Sequence, residues 1–131
     1  MQNYSLKWLI IHTHQYKVNI NNFMKVHLND LNGEIIKDDD TYLIEDNTLL
    51  NNLVLSRTVL HPGKQTRGHS HKGVEEVYIF NSGSGRMILG DKAFTVEGGD
   101  VVLIPDGEFH KVNNPSSADL VFTCVFQTYE R

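Results

Sequence analysis

No stretch of this chain repeats its apolar residues at the 3.6-residue spacing of a long amphipathic helix. Short alternating or β-rich runs recur instead, broken by Gly, Asn and Asp. Strands are expected over 23–28, 41–44, 53–60, 75–80, 85–89, 93–96, 101–104 and 120–126. Asn29-Asp30-Leu31-Asn32-Gly33 reads as a turn, and Gly90-Asp91 as the two-residue loop of a tight hairpin. Lys37-Asp38-Asp39-Asp40 reads as a solvated charged loop. Many short strands separated by turns predict an all-β sandwich or small barrel.

With 131 residues there is room for one domain that can bury a core without disulfide or metal staples. Hydrophobic residues make up 40% and the formal net charge is -4, which excludes disorder over most of the chain. No face dense in Lys and Arg is visible, so nucleic acid is not an expected partner. The one cysteine, Cys124, lies in the apolar run Leu120 to Phe126 and reads as a small buried hydrophobe. It cannot form an intramolecular disulfide, so a cytoplasmic, reducing home is expected.

Trp8-Leu9-Ile10-Ile11 is too short for a signal-peptide core or a membrane span. It reads as part of the fold or as an arm, and no membrane partner is expected. Residues 1–40 are less patterned and are expected to form an N-terminal arm and edge strands. The chemistry should lie within 53–127.

Three of the seven histidines stand out by spacing. His69 and His71 form His-x-His, and in a strand positions i and i+2 share a face. Glu75 and Glu76 follow, and one of the two can face the same interior. His110 comes just after Pro105-Asp106-Gly107, a turn able to aim a strand back inward. Three imidazoles and one carboxylate suit one divalent transition metal: Zn, Mn, Fe, Ni or Cu. His12-Thr13-His14 has the same form but no Gly-rich approach or downstream carboxylate. His27 and His61 stand alone and read as surface or turn residues.

The surroundings of these histidines form two spaced patterns. The first is Gly63, five residues, His69-x-His71, four residues, Glu76, six residues, Gly83. The second is Gly99, five residues, Pro105-x-Gly107, two residues, His110, three residues, Asn114. Both resemble the two motifs of the cupin superfamily, and the short stretch between them is similar to that of compact microbial members. The resemblance covers roughly half the chain. It implies a jelly-roll barrel, or double-stranded β-helix, with a metal in its mouth. The implied ligands are His69, His71, Glu76 and His110. Glu76 is preferred to Glu75 because only it keeps the six residues before Gly83. Gly83, Gly99, Gly107 and Asn114 take scaffold roles.

A divalent cation with one carboxylate leaves a site charge of about +1, which favours an anionic or polyhydroxylated ligand. Strand parity nominates Gln65 and Arg67 beside His69, with Arg67 either a bidentate anion anchor or an exposed rim residue. Arg57 on the preceding strand is a further substrate-binding candidate. Tyr78 keeps the parity of Glu76 and either offers a hydroxyl to substrate or packs in the core.

Three functions follow. Gly68-His69-Ser70-His71, Glu76-Val77-Tyr78 and Gly83-Ser84-Gly85 resemble cupin-type sugar-phosphate isomerases, although the gap from His71 to Glu76 is shorter here. That resemblance implies a metal-dependent isomerase with Glu76 and Tyr78 as catalytic groups. A non-haem iron dioxygenase suits the same ligand set. The third reading is a non-catalytic, metal-dependent binder of small ligands. A homodimer is expected, with the apolar arm 6–11 a candidate to cross to a partner.

Overall fold

The computed structural model describes residues 25–128. Its nine strands are β1 (Glu34–Asp38), β2 (Tyr42–Asn47), β3 (Leu53–Leu60), β4 (Glu76–Ser82), β5 (Ser84–Leu89), β6 (Lys92–Glu97), β7 (Val101–Ile104), β8 (His110–Asn113) and β9 (Leu120–Gln127). All named pairings are antiparallel. One sheet has the order β1-β2-β3-β9-β4-β7 and the other β6-β5-β8. This is the expected all-β jelly-roll architecture, and no helix occurs among the described residues.

Alternation along the strands builds the interior. On β3, Val54, Ser56, Thr58 and Leu60 are buried, and on β9 their register partners are Phe126, Cys124, Phe122 and Leu120. On β4 the buried set is Glu76, Tyr78 and Phe80. Met87, Val96 and Val112 of the smaller sheet close the core from the other side. Cys124 is buried, as its apolar run predicts.

The Gly90-Asp91 hairpin is present, with Leu89 opposite Lys92. Asn114 is buried and ties a loop together. Its amide donates to the carbonyls of Leu60 and Ala118 at 2.9 and 2.8 Å, and its Oδ1 accepts from Ser116. Gly83 has a φ of 87° and packs against the Asp119 carbonyl, so a Cβ there would meet backbone.

Two expectations need correction, and others lie outside the described residues. Residues 25–28 form no strand: His27 and Asp30 exchange backbone bonds at 3.0 and 3.1 Å in a tight turn. Residues 23 and 24, the apolar arm and His12 and His14 lie outside the described residues. Lys37 and Asp38 belong to β1 rather than to a loop. Every residue of β1 is exposed, so burial left no alternation in its sequence.

Candidate metal centre

Two strands and one bridged segment bring the candidate ligands together. Glu76 opens β4, its carboxylate turned inward and 5% exposed, while Glu75 is exposed to solvent. The strand parity that separates these neighbours therefore holds. Glu76 is flanked in register by Ile104 on β7 and Phe126 on β9, both buried and apolar. His110 opens β8 and is 3% exposed. His69 pairs with it across the barrel mouth: His69 N donates to the His110 carbonyl at 3.1 Å, and His110 N donates back at 2.9 Å.

One donor atom each from His69, Glu76 and His110 lies within 4.8 Å of the other two. His71 stands beside this group. Its ring centroid is 4.3 Å from that of His69 and 6.5 Å from that of His110. Glu76 and His110 form the buried floor, His71 is half-buried and His69 is exposed. Among the described residues, the cluster is closed on the core side and exposed at His69.

The chemistry of the floor tests whether a cation fits. His110 Nδ1 lies 2.9 Å from the Glu108 carbonyl oxygen, which can only accept, so Nδ1 carries the hydrogen. In the neutral ring the lone pair then sits on Nε2. That atom is buried and makes no hydrogen bond. It faces Glu76 Oε2 at 3.4 Å. Two acceptors in an apolar surround repel unless a proton or a metal ion joins them. Two donors each about 2.1 Å from a tetrahedral metal lie about 3.4 Å apart, so the spacing suits a metal. A proton alone would not call for a further imidazole, that of His69, within the same 4.8 Å. The donor set fits a transition metal.

Tyr78 lies beneath the cluster, edge-on to His110 with centroids 5.5 Å apart and stacked on Phe122 at 5.3 Å. It is buried with the core aromatics.

The three substrate-binding nominations fare differently. Gln65 bridges to Asn113 whereas His69 bridges to His110. Four residues on one segment thus oppose three on β8, which is a bulge. Gly68, at φ 82°, absorbs it. The slip inverts the parity that would place Gln65 and Arg67 with His69. Gln65 shares the outward face of Asn113 and lines an open polar groove with Thr41 and Lys64. Arg67 is exposed, on the stretch where the register slips. Arg57 sits on the outer face of β3, opposite the inward Ser56 and Thr58, and its Nε binds Glu45 Oε1 at 3.1 Å. The same carboxylate accepts from Leu31 N and Gly33 N, so it pins the turn before β1 and directs Arg57 away from the cluster.

Sequence reasoning missed Asp106. The Pro105-Asp106-Gly107 turn was legible, but the Asp106 carboxylate accepts from Gly73 N, 33 residues away, at 2.6 Å. No local pattern carries that contact. Thr66 was also missed: its Oγ1 accepts from Val112 N at 2.9 Å and fastens the bulged segment to β8.

With this geometry in hand, comparison with known proteins decides the family. The cupin domain profile (Cupin_2) matches residues 56–126, more than half of the chain. The chain belongs to the cupin family. An uncharacterized protein of Methanocaldococcus jannaschii is 33% identical over 70 residues, 53% of this cupin and 56% of that protein. The oxalate-binding protein of Thermotoga maritima is 32% identical over 72 residues, 55% of this cupin and 60% of the relative. The cupin thus spans less than two thirds of the curated relatives it matches. Among solved structures, Bacillus subtilis oxalate decarboxylase, described with Mn(II) centres, superposes with a TM-score of 0.67 at 22% identity. The match covers 77% of this cupin and 29% of that chain. At that identity the likeness establishes the fold. Among the described residues, no helix is long and apolar enough to cross a membrane.

Proposed function

We propose that this cupin holds one divalent transition metal through His69, Glu76 and His110, with His71 as the fourth ligand, and that the centre takes up a small anionic or oxygen-rich molecule from the side of the exposed His69. The observation that carries this reading is the buried pair of acceptors, His110 Nε2 and Glu76 Oε2, at 3.4 Å. When bound, a metal of this class polarises ligand oxygens as a Lewis acid. The protein's part is to hold the donors. The Glu108 carbonyl fixes the His110 tautomer, and the backbone pair between His69 and His110 sets two rings side by side. Glu76 offsets one positive charge and leaves about +1 to attract an anion. The name of the Thermotoga relative, an oxalate-binding protein, supports a small anion as the ligand class.

For catalysis, a metal-dependent isomerase on a sugar or sugar-phosphate-like substrate is the favoured reading, with a non-haem iron dioxygenase as its alternative. Glu76 and Tyr78 are the groups nearest to a proton-moving role. Both are buried, and Tyr78 is wedged between Phe122 and His110. That burial favours ligation and packing over proton shuttling, and so supports the third reading, metal-dependent binding without turnover. A homodimer belongs to the same proposal, supported by exposed Val101 and Leu103 on the sheet-edge strand β7. So does a cytoplasmic setting, which suits the single buried Cys124.

The test is calorimetric titration of oxalate, and separately of a sugar phosphate, into the metal-loaded and the chelator-stripped protein. Binding confined to the loaded form supports the proposal. Equal binding to both forms contradicts it. Conversion of a bound sugar phosphate under anaerobic conditions selects the isomerase, whereas an oxygen requirement selects the dioxygenase.

A further inference from the structure

We propose that Asp106 is a positioning residue of the metal centre, latching the loop that carries His71 to the turn that precedes His110. The inference rests on the metal-binding reading above and extends it to a residue outside the ligand set.

The four ligands are not held alike. Glu76 and His110 stand on strands, and His69 is bridged to His110 by two backbone bonds. His71 stands on an irregular stretch between that bridge and β4. A loop position is less precise than a ladder position, and His71 is the member that lies outside the tight group of donors.

Two bonds cross from that loop to the turn at 105–107. Asp106 Oδ1 accepts from Gly73 N at 2.6 Å, the short distance of a charge-assisted bond. Gly107 N donates to the His71 carbonyl at 3.1 Å. A third bond, Val74 N to the His71 carbonyl at 3.2 Å, closes the loop on itself. Gly73 has a φ of 83°, with open space where a Cβ would stand, so this tight turn presents its N–H outward to Asp106. The carboxylate bonds the main chain of the loop, at Gly73. It fixes the His71 main chain, and through it the point from which the imidazole extends.

Asp106 is exposed, and an exposed side chain with no such duty changes stability little when truncated. An effect on metal affinity routed through His71 is therefore diagnostic. Cobalt(II) is titrated into the stripped, untagged protein and followed by its visible absorption. The proteins are the parent, Asp106→Ala, Asp106→Asn, His71→Ala and the Asp106→Ala/His71→Ala pair. The parent is expected to bind one equivalent. Asp106→Ala should bind about tenfold more weakly, as loss of an orienting partner does. Asp106→Asn, which keeps an oxygen acceptor for Gly73 N, should stay within about threefold of the parent. In the His71→Ala background, Asp106→Ala should add nothing, because the two act through one ligand.

Parent-like affinity in Asp106→Ala overturns the latch. So does a loss of the same size in the His71→Ala background, which would signal general loosening of the fold. A parent that takes up no cobalt overturns the metal reading and the latch with it.

Discussion

His110 Nε2 and Glu76 Oε2 face each other at 3.4 Å across the inside of the barrel, and Nε2 is buried without a hydrogen bond. Neither donates to the other when the ring is neutral, because the ring hydrogen is committed to the Glu108 carbonyl. Ile104 and Phe126, both buried and apolar, flank Glu76 in register. A buried pair of this kind has a reason to exist if a cation completes it.

The two neighbouring glutamates give the sharpest contrast. Glu76→Gln removes the inward charge and should lower bound metal at least tenfold, since even a partner outside the ligand set is worth about 10–100-fold. Glu75→Gln alters an exposed side chain and should leave metal content unchanged. Metal analysis after dialysis checks both, and a reversed outcome would mean that the register of β4 is wrong.

Arg67 and Gln65 should not matter for anion binding. The bulge at Gly68 removes the parity argument for both. Arg67→Ala and Gln65→Ala should each keep oxalate affinity of the loaded protein within about twofold, well under the roughly 1.5–3 kcal/mol of a lost charge-assisted bond. A tenfold loss in Arg67→Ala, measured by calorimetry, would restore it as an anchor.

This bulge also marks the limit of what the sequence disclosed. The fold class, the extents of β3 and β7 and the inward position of Glu76 were legible because burial imposes a two-residue period. Parity fails across an inserted residue, and Gly68 signals only that a slip is possible. The placement of Arg57 was hidden for another reason: it shares a strand with Ser56 and Thr58, but its partner Glu45 is fixed by a turn no local pattern connects to it. Strand β8, His110–Asn113, has one apolar residue in four, too few for its alternation to show, and β1 has no buried face.

Metal should stabilise the folded chain. Ligand at about 100 times its dissociation constant adds about 2.7 kcal/mol. For a chain of this size that corresponds to a rise in Tm of roughly 10 °C. Thermal unfolding with and without added metal measures it, and an unchanged Tm would contradict binding to the folded state.

Asn114 predicts a stability effect separate from the metal. It is 1% exposed and its amide holds the carbonyls of Leu60 and Ala118. Asn114→Ala strands those groups and should cost about 2–4 kcal/mol in denaturant unfolding. A loss under about 0.5 kcal/mol would show that the loop 115–119 does not depend on it.

Asp39 offers a pH signature. The backbone N–H groups of Tyr42 and then Thr41 hold its carboxylate below the ordinary value of 3.8. A lowered folded value means that its contribution is complete above the unfolded pKa and is lost as pH falls through the folded one. A carboxyl NMR titration should place the midpoint below 3.8. A midpoint at or above 3.8 would deny the two bonds.

The central claim, one metal held by His69, His71, Glu76 and His110, is tested most directly by elemental analysis of untagged protein purified without added metal. The expected result is about one first-row transition metal per chain in the parent, falling below about a tenth in His110→Ala with its fold retained by circular dichroism. A parent free of metal that stays free after reconstitution with Zn, Mn, Fe, Ni or Cu, or a His110→Ala variant that retains the parent's metal, would contradict it.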